Sequence, residues 1–119
     1  MHEMSLAREV LHILENQARL QKFSRVHAVT VTIGPLAAVD GPALHFAFEA
    51  VTQGTLAEGA ELHMEHPAAR GCCRHCGHCF TMDSWLTPCP HCGGPAQAEG
   101  GQEMQVKDLQ VSDEGMRRR

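Results

Sequence analysis

The chain has 119 residues, of which 20% are charged and 43% hydrophobic, a balance that builds one domain with room for a small appendage and argues against disorder over most of the length. Four Phe, one Trp, no Tyr and a formal net charge of −4 deny it the basic surface and stacking platform of a general nucleic-acid binder. No apolar run reaches membrane-spanning length, and Glu3, Arg8, Glu9, Glu15 and Arg19 interrupt the first twenty residues as no signal peptide would allow, so a cytoplasmic protein is expected.

The first residues are Met1-His2-Glu3. The Met1 amine, the His2 amide nitrogen and the His2 imidazole Nδ1 can close two adjoining chelate rings, a geometry that suits square-planar Ni(II) or Cu(II). A frayed, solvated end is the plainer reading of the same residues. Leu6, Val10, Ile13, Leu14 and Ala18 then recur at helical spacing, which predicts an amphipathic helix of about four turns. Its macrodipole favours Glu3 at the N-terminus and disfavours a cation, so a metal there needs strong donors and nearby carboxylates.

From Val26 to Ile33 the residues are rich in β-branching and alternate, with Val29, Val31 and Ile33 on one face; Gly34-Pro35 ends this strand. Asp40 is placed to cap a second helix with Pro42 in its first turn and Leu44, Ala47, Phe48 and Val51 on its apolar face. Phe46 falls off that stripe. Residues 60–67 alternate again, and a strand, helix and strand in this order imply a right-handed crossover and a parallel pair. After the cysteine-rich segment, Met104 and Val106 alternate while Leu109 and Val111 are out of phase, which a β-bulge near Asp108 would reconcile. The expected fold is α/β (α+β), a small three-stranded mixed sheet with two helices on one face and an inserted zinc-ribbon-like module.

That module reads Cys72-Cys73-Arg74-His75-Cys76-Gly77-His78-Cys79, then Cys89-Pro90-His91-Cys92-Gly93. With six cysteines all between positions 72 and 92, and nine histidines in the chain, metal binding is favoured over disulfides. Two Cys-x-x-Cys pairs bend into knuckles, and facing knuckles complete a tetrahedral S4 shell. Cys73, Cys76, Cys89 and Cys92 are the expected zinc ligands; Cys76 with Cys79 is a rival pair, Cys72 a spare thiol, and His75, His78 and His91 are alternative donors. Phe80, Met82, Trp85 and Leu86 are the segment's few large apolar residues, too few to fold it unaided, so the metal supplies folding free energy. A closed S4 shell has no open position, so the zinc is structural. With no nucleophile–base pair, phosphate-binding loop or dinucleotide fingerprint, nothing points to an enzyme. The chain divides into a body of residues 1–67 and 100–112, a metal module of 68–99 and a flexible tail of 113–119.

The terminal Met-His-Glu, the helix–strand–helix–strand body, the inserted four-cysteine segment and the closing strand together resemble the HypA family, including its HybF relatives, nickel-insertion accessory proteins of [NiFe]-hydrogenase maturation. The resemblance runs from Met1 to about Val111. It implies Ni(II) as cargo at His2, with Met1 and Glu3 as accompanying positions and Asp40 as a nearby acidic one, and Zn(II) at Cys73, Cys76, Cys89 and Cys92. It further implies a HypB-type GTPase as companion and the hydrogenase large subunit as destination, with urease a second client in some members. An exposed strand edge also allows a homodimer. The competing reading is a zinc-ribbon protein-interaction module without nickel function, in which His2 is incidental; a thiol redox protein using one Cys-x-x-Cys pair is a further alternative.

Overall fold

The computed structural model describes residues 3–84, 86–100 and 103–113. Met1, His2, Trp85 and the tail from position 114 lie outside them, and with these lie the expected terminal chelate and most of the predicted tail. The element order is α1 (Glu3–Gln21), β1 (Arg25–Ile33), α2 (Gly41–Val51), β2 (Glu61–Glu65), β3 (Ala69–Cys73), β4 (Cys79–Met82), β5 (Ala96–Glu99) and β6 (Met104–Ser112). Contacts group the described residues into two compact units, one drawn from 1–31, 39–64 and 106–119, the other from 32–38 and 65–105.

In the first unit, α1 buries Leu6, Ala7, Val10 and Leu14 along one stripe and packs against α2, which buries Leu44, Ala47 and Phe48. Spacings of three and four residues produce those stripes, and each large side chain so buried stabilises the fold by about 1.5–3 kcal/mol. Glu3 in the first turn of α1 and Arg19 in its last both complement the helix dipole. Asp40 caps α2 as expected: its side chain accepts the Ala43 N–H at 3.3 Å. The helix closes at Thr52, which is buried and whose hydroxyl donates to the Phe48 carbonyl at 2.8 Å. No buried side-chain nitrogen or oxygen among the described residues lacks a partner.

The strands form a mixed sheet in the order β2-β1-β6. Ser24 N–H donates to the Ser112 carbonyl and Gly34 N–H to the Glu103 carbonyl, so β6 runs antiparallel to β1. Those two bonds bracket ten steps along β1 and nine along β6, which puts one additional residue on β1. Ala28 and Val29 are consecutive buried residues at the point where β1 changes face. The bulge expected near Asp108 thus finds its extra residue on the neighbouring strand.

The second unit holds a three-stranded antiparallel sheet, β4-β3-β5, that alternation did not predict. Gly71 at its centre is buried, opposite Phe80 on β4 and Ala98 on β5; a Cβ there would collide with the Met82 side chain. Met82 is 1% exposed and Leu86 is 89% exposed, so of the segment's few large apolar residues Met82 is buried and Leu86 is not.

Two phenylalanines two positions apart on α2, and so on different faces of it, give a test of the packing. Phe48→Ala should cost about 3–5 kcal/mol in urea unfolding. Phe46 is 71% exposed. Phe46→Ser should therefore change stability by less than about 0.5 kcal/mol.

Candidate metal centres

One strand end, the turn that follows it and a later loop bring four cysteines together. Cys73 ends β3, Cys76 lies in the β3–β4 turn, and Cys89 and Cys92 sit in the loop before β5. Their four sulfur atoms all lie within 4.8 Å of one another, the grouping among the described residues that could hold a metal ion. Across the knuckles, Sγ of Cys73 is 3.4 Å from Sγ of Cys92, and Sγ of Cys76 is 3.7 Å from Sγ of Cys89. The edge of a tetrahedron built on bonds of about 2.3 Å is about 3.8 Å, so the donors fit a zinc-sized S4 shell.

Both knuckles are made by the same backbone pattern. In the first, Cys73 N–H donates to the His78 carbonyl at 2.8 Å and Gly77 N–H to the Cys73 carbonyl at 3.1 Å. In the second, Cys89 N–H donates to the Gly94 carbonyl at 3.1 Å and Gly93 N–H to the Cys89 carbonyl at 2.8 Å. Gly77 and Gly93 take φ of 79° and 74°, the left-handed region where a side chain would be strained. Amides at His75 and Cys76 point at the Cys73 sulfur, and the His91 amide points at that of Cys89. The rings of His78 and His91 stack across the knuckles with centroids 3.6 Å apart, leaving the four-thiol group without histidine.

These contacts split the thiols. The Cys76 and His75 amides, with the Cys92 and Cys76 thiols, outweigh desolvation and lower the Cys73 thiol from 9.0 to about 6. At Cys92 the Gly94 amide favours ionisation, but the Cys73 thiolate, burial and the other two sulfurs overcome it and push the thiol up to about 12. Cys76 is also raised: the His78 amide favours its thiolate, but desolvation and the Cys89 and Cys73 sulfurs prevail. At Cys89 desolvation is the largest influence, yet the Cys92 and His91 amides and the Cys76 thiol lower it. Four anions cannot share this space without a cation.

The remaining two cysteines depart from expectation. Cys72 and Cys79 form a disulfide, because β3 and β4 place them at directly opposed positions. Neither a spare Cys72 thiol nor a Cys76–Cys79 ligand pair is present. Spacing alone could not find this pairing, since it follows from the strand register.

At the other end of the chain, the carboxylate of Glu3 accepts the Asp40 N–H at 2.9 Å. Asp40 itself is exposed and faces its own helix, so the acid that opens α1 is tied to the loop that starts α2. Two of the four expected nickel positions are thereby brought together, and the other two, Met1 and His2, lie outside the described residues.

Residues 1–111 match the family described as "Hydrogenase/urease nickel incorporation, metallochaperone, hypA". The hydrogenase maturation factor HypA of Azotobacter chroococcum is 46% identical over 112 residues, covering 93% of this chain and 99% of the relative; that of Azotobacter vinelandii is 44% identical with the same coverage. The solution structure of the Ni metallochaperone HypA from Helicobacter pylori superposes with a TM-score of 0.70, at 24% identity, over 94% of this chain and 98% of that one, and shares the fold. With its helix-capped acidic pair, its four gathered thiols and a family match over nearly its whole length, the chain belongs to the HypA family of nickel metallochaperones for hydrogenase maturation.

Proposed function

We propose that this protein carries Ni(II) on its first residues and delivers it to the large subunit of [NiFe]-hydrogenase. The donors are the Met1 amine, the His2 amide and imidazole, with Glu3 and Asp40 contributing negative charge or a further ligand. The observation that carries this reading is the bond from Asp40 N–H to the Glu3 carboxylate, in a chain whose family match begins at residue 1. That bond holds two acids at a helix N-terminus, where the dipole would otherwise repel a cation. A site beside a chain end exchanges ligands readily, so an incoming partner can replace donors in turn. Nickel is received from a HypB-type GTPase in the cytoplasm, urease is a second destination, and any dimer forms through an exposed strand edge. The protein acts as a carrier, and no bond of a substrate is broken by it.

Cys73, Cys76, Cys89 and Cys92 hold Zn(II), whose chemistry here is to neutralise the thiolates and fix the two knuckles together. This metal is structural, since four sulfurs close its shell.

Nickel titration tests the first part. His2→Ala, and separately an extension of a few residues before Met1, should each weaken Ni(II) binding by at least about tenfold, while the S4 metal stays in place. Unchanged nickel affinity in both would leave the alternative, a zinc-ribbon interaction module, as the better account. Asp40→Asn separates two duties of one residue. Asparagine caps a helix as well as aspartate, so the unfolding midpoint should hold, and any fall in nickel affinity then reports lost charge or ligation. The zinc reading has a proton signature. With Cys76 and Cys92 raised and Cys73 lowered to about 6, loading at pH 7 should expel the protons of Cys76 and Cys92. Affinity therefore rises with pH, and calorimetry in buffers of different ionisation enthalpy should count at least about two protons released.

A further inference from the structure

The two knuckles share one hydrogen-bond pattern, yet only the first carries a covalent brace. The Cys72–Cys79 disulfide crosses the neck of the β3–β4 hairpin, and the loop it closes contains both Cys73 and Cys76. The next link inward is the bond from Cys73 N–H to the His78 carbonyl. The second knuckle has the same hydrogen bonds without such a brace, so a knuckle does not require a disulfide and the bond has another consequence. Cys72 and Cys79 are only half-buried. Cys72 also lines an open hollow of about 350 Å³ with Arg74, Gln97 and Glu99, which admits a small reactant. Opening the bond would create a thiol at Cys79 three positions after Cys76, a second Cys-x-x-Cys spacing that overlaps the first.

We infer that Cys72–Cys79 is a thiol–disulfide exchange site for a dithiol reductant, and that its state sets how readily the four-thiol centre releases its metal. This rests on the reading of Cys73, Cys76, Cys89 and Cys92 as metal ligands. One thiolate of the reductant attacks a sulfur of the pair, forming a mixed disulfide and expelling the other cysteine as thiolate. The second thiolate of the reductant then displaces the remaining cysteine. Two electrons and two protons pass to Cys72 and Cys79, and the reductant leaves as a disulfide. When closed, the pair withholds Cys79 from the metal and fixes the hairpin neck. When open, Cys79 competes with Cys73 for a place beside Cys76, and an exchange route appears that the closed form lacks. Disulfides in reducing compartments are commonly of this transient kind.

The test uses the full chain loaded with zinc, in the oxidised form and after reduction by a dithiol that is then removed. Alkylation and mass measurement should find the Cys72–Cys79 pair opened by reduction, and zinc transfer to a colorimetric chelator should be at least about tenfold faster from the open form. Cys72→Ser, which leaves the Cys79 thiol free, should transfer at the fast rate in both conditions. The double variant Cys72→Ser, Cys79→Ser should lose the redox dependence while keeping one zinc. Equal transfer rates from oxidised and reduced protein, each holding one zinc, would overturn this inference alone. Less than one zinc per chain in both states would overturn the metal reading and the inference with it.

Discussion

Everything in the second unit follows from four sulfurs drawn closer than four anions can tolerate. Backbone amides stabilise the charge on Cys73, but that charge then holds the Cys92 thiol up at about 12. The arrangement is consistent only around a cation, because the unit has little else to hold it. Its apolar core is slight, centred on Met82 and Ala69 with Ile33 and Leu36, and it relies on a buried glycine to let the Met82 side chain lie against the sheet. On the metal reading, a small fold of this kind would depend on its ion for the same reason that isolated short chains are unstable: too little apolar surface leaves water.

The first unit has the opposite balance. Its stability comes from apolar stripes of α1, β1 and α2 meeting across an interior in which the described polar side-chain atoms are all partnered. Its polar interactions lie at the helix ends and on the exposed strand faces, as where His27 meets the Ser112 hydroxyl and His63 the Glu61 carboxylate. On the proposed function the two metals would therefore meet two physical regimes: one would shape the chain around itself, and the other would meet a surface already built by hydrophobic burial.

How much of this could be read from the residues depended on the range of the interaction. Local signals worked: the 3.6-residue stripe of α1, the β-branched run of β1, the Asp40 cap with Pro42 behind it, and the knuckle spacing with its glycines all act within a few positions. Phe46 fell off the apolar stripe and is exposed. What failed was set at a distance. The sequences Ala69–Cys73 and Ala96–Glu99 hold no β-branched or aromatic residue, and they become strands through pairing with each other. The Cys72–Cys79 bond is a matter of register between β3 and β4, which the cysteine count could not reveal. At the bulge the phase change in β6 was visible, but the extra residue was hidden in β1, whose β-branched run reads smoothly through it.

One detail of the acidic pair bears on how such a protein can change over generations. Glu3 grips the backbone N–H of Asp40, which every residue type except proline supplies. The grip on α1 thus survives any substitution at position 40, other than proline, that keeps the loop's path. Serine, threonine or asparagine would also preserve the cap on α2. Charge at this place can be altered by a single codon without shifting the scaffold, so on the proposed function selection could retune metal preference while the architecture stays constant.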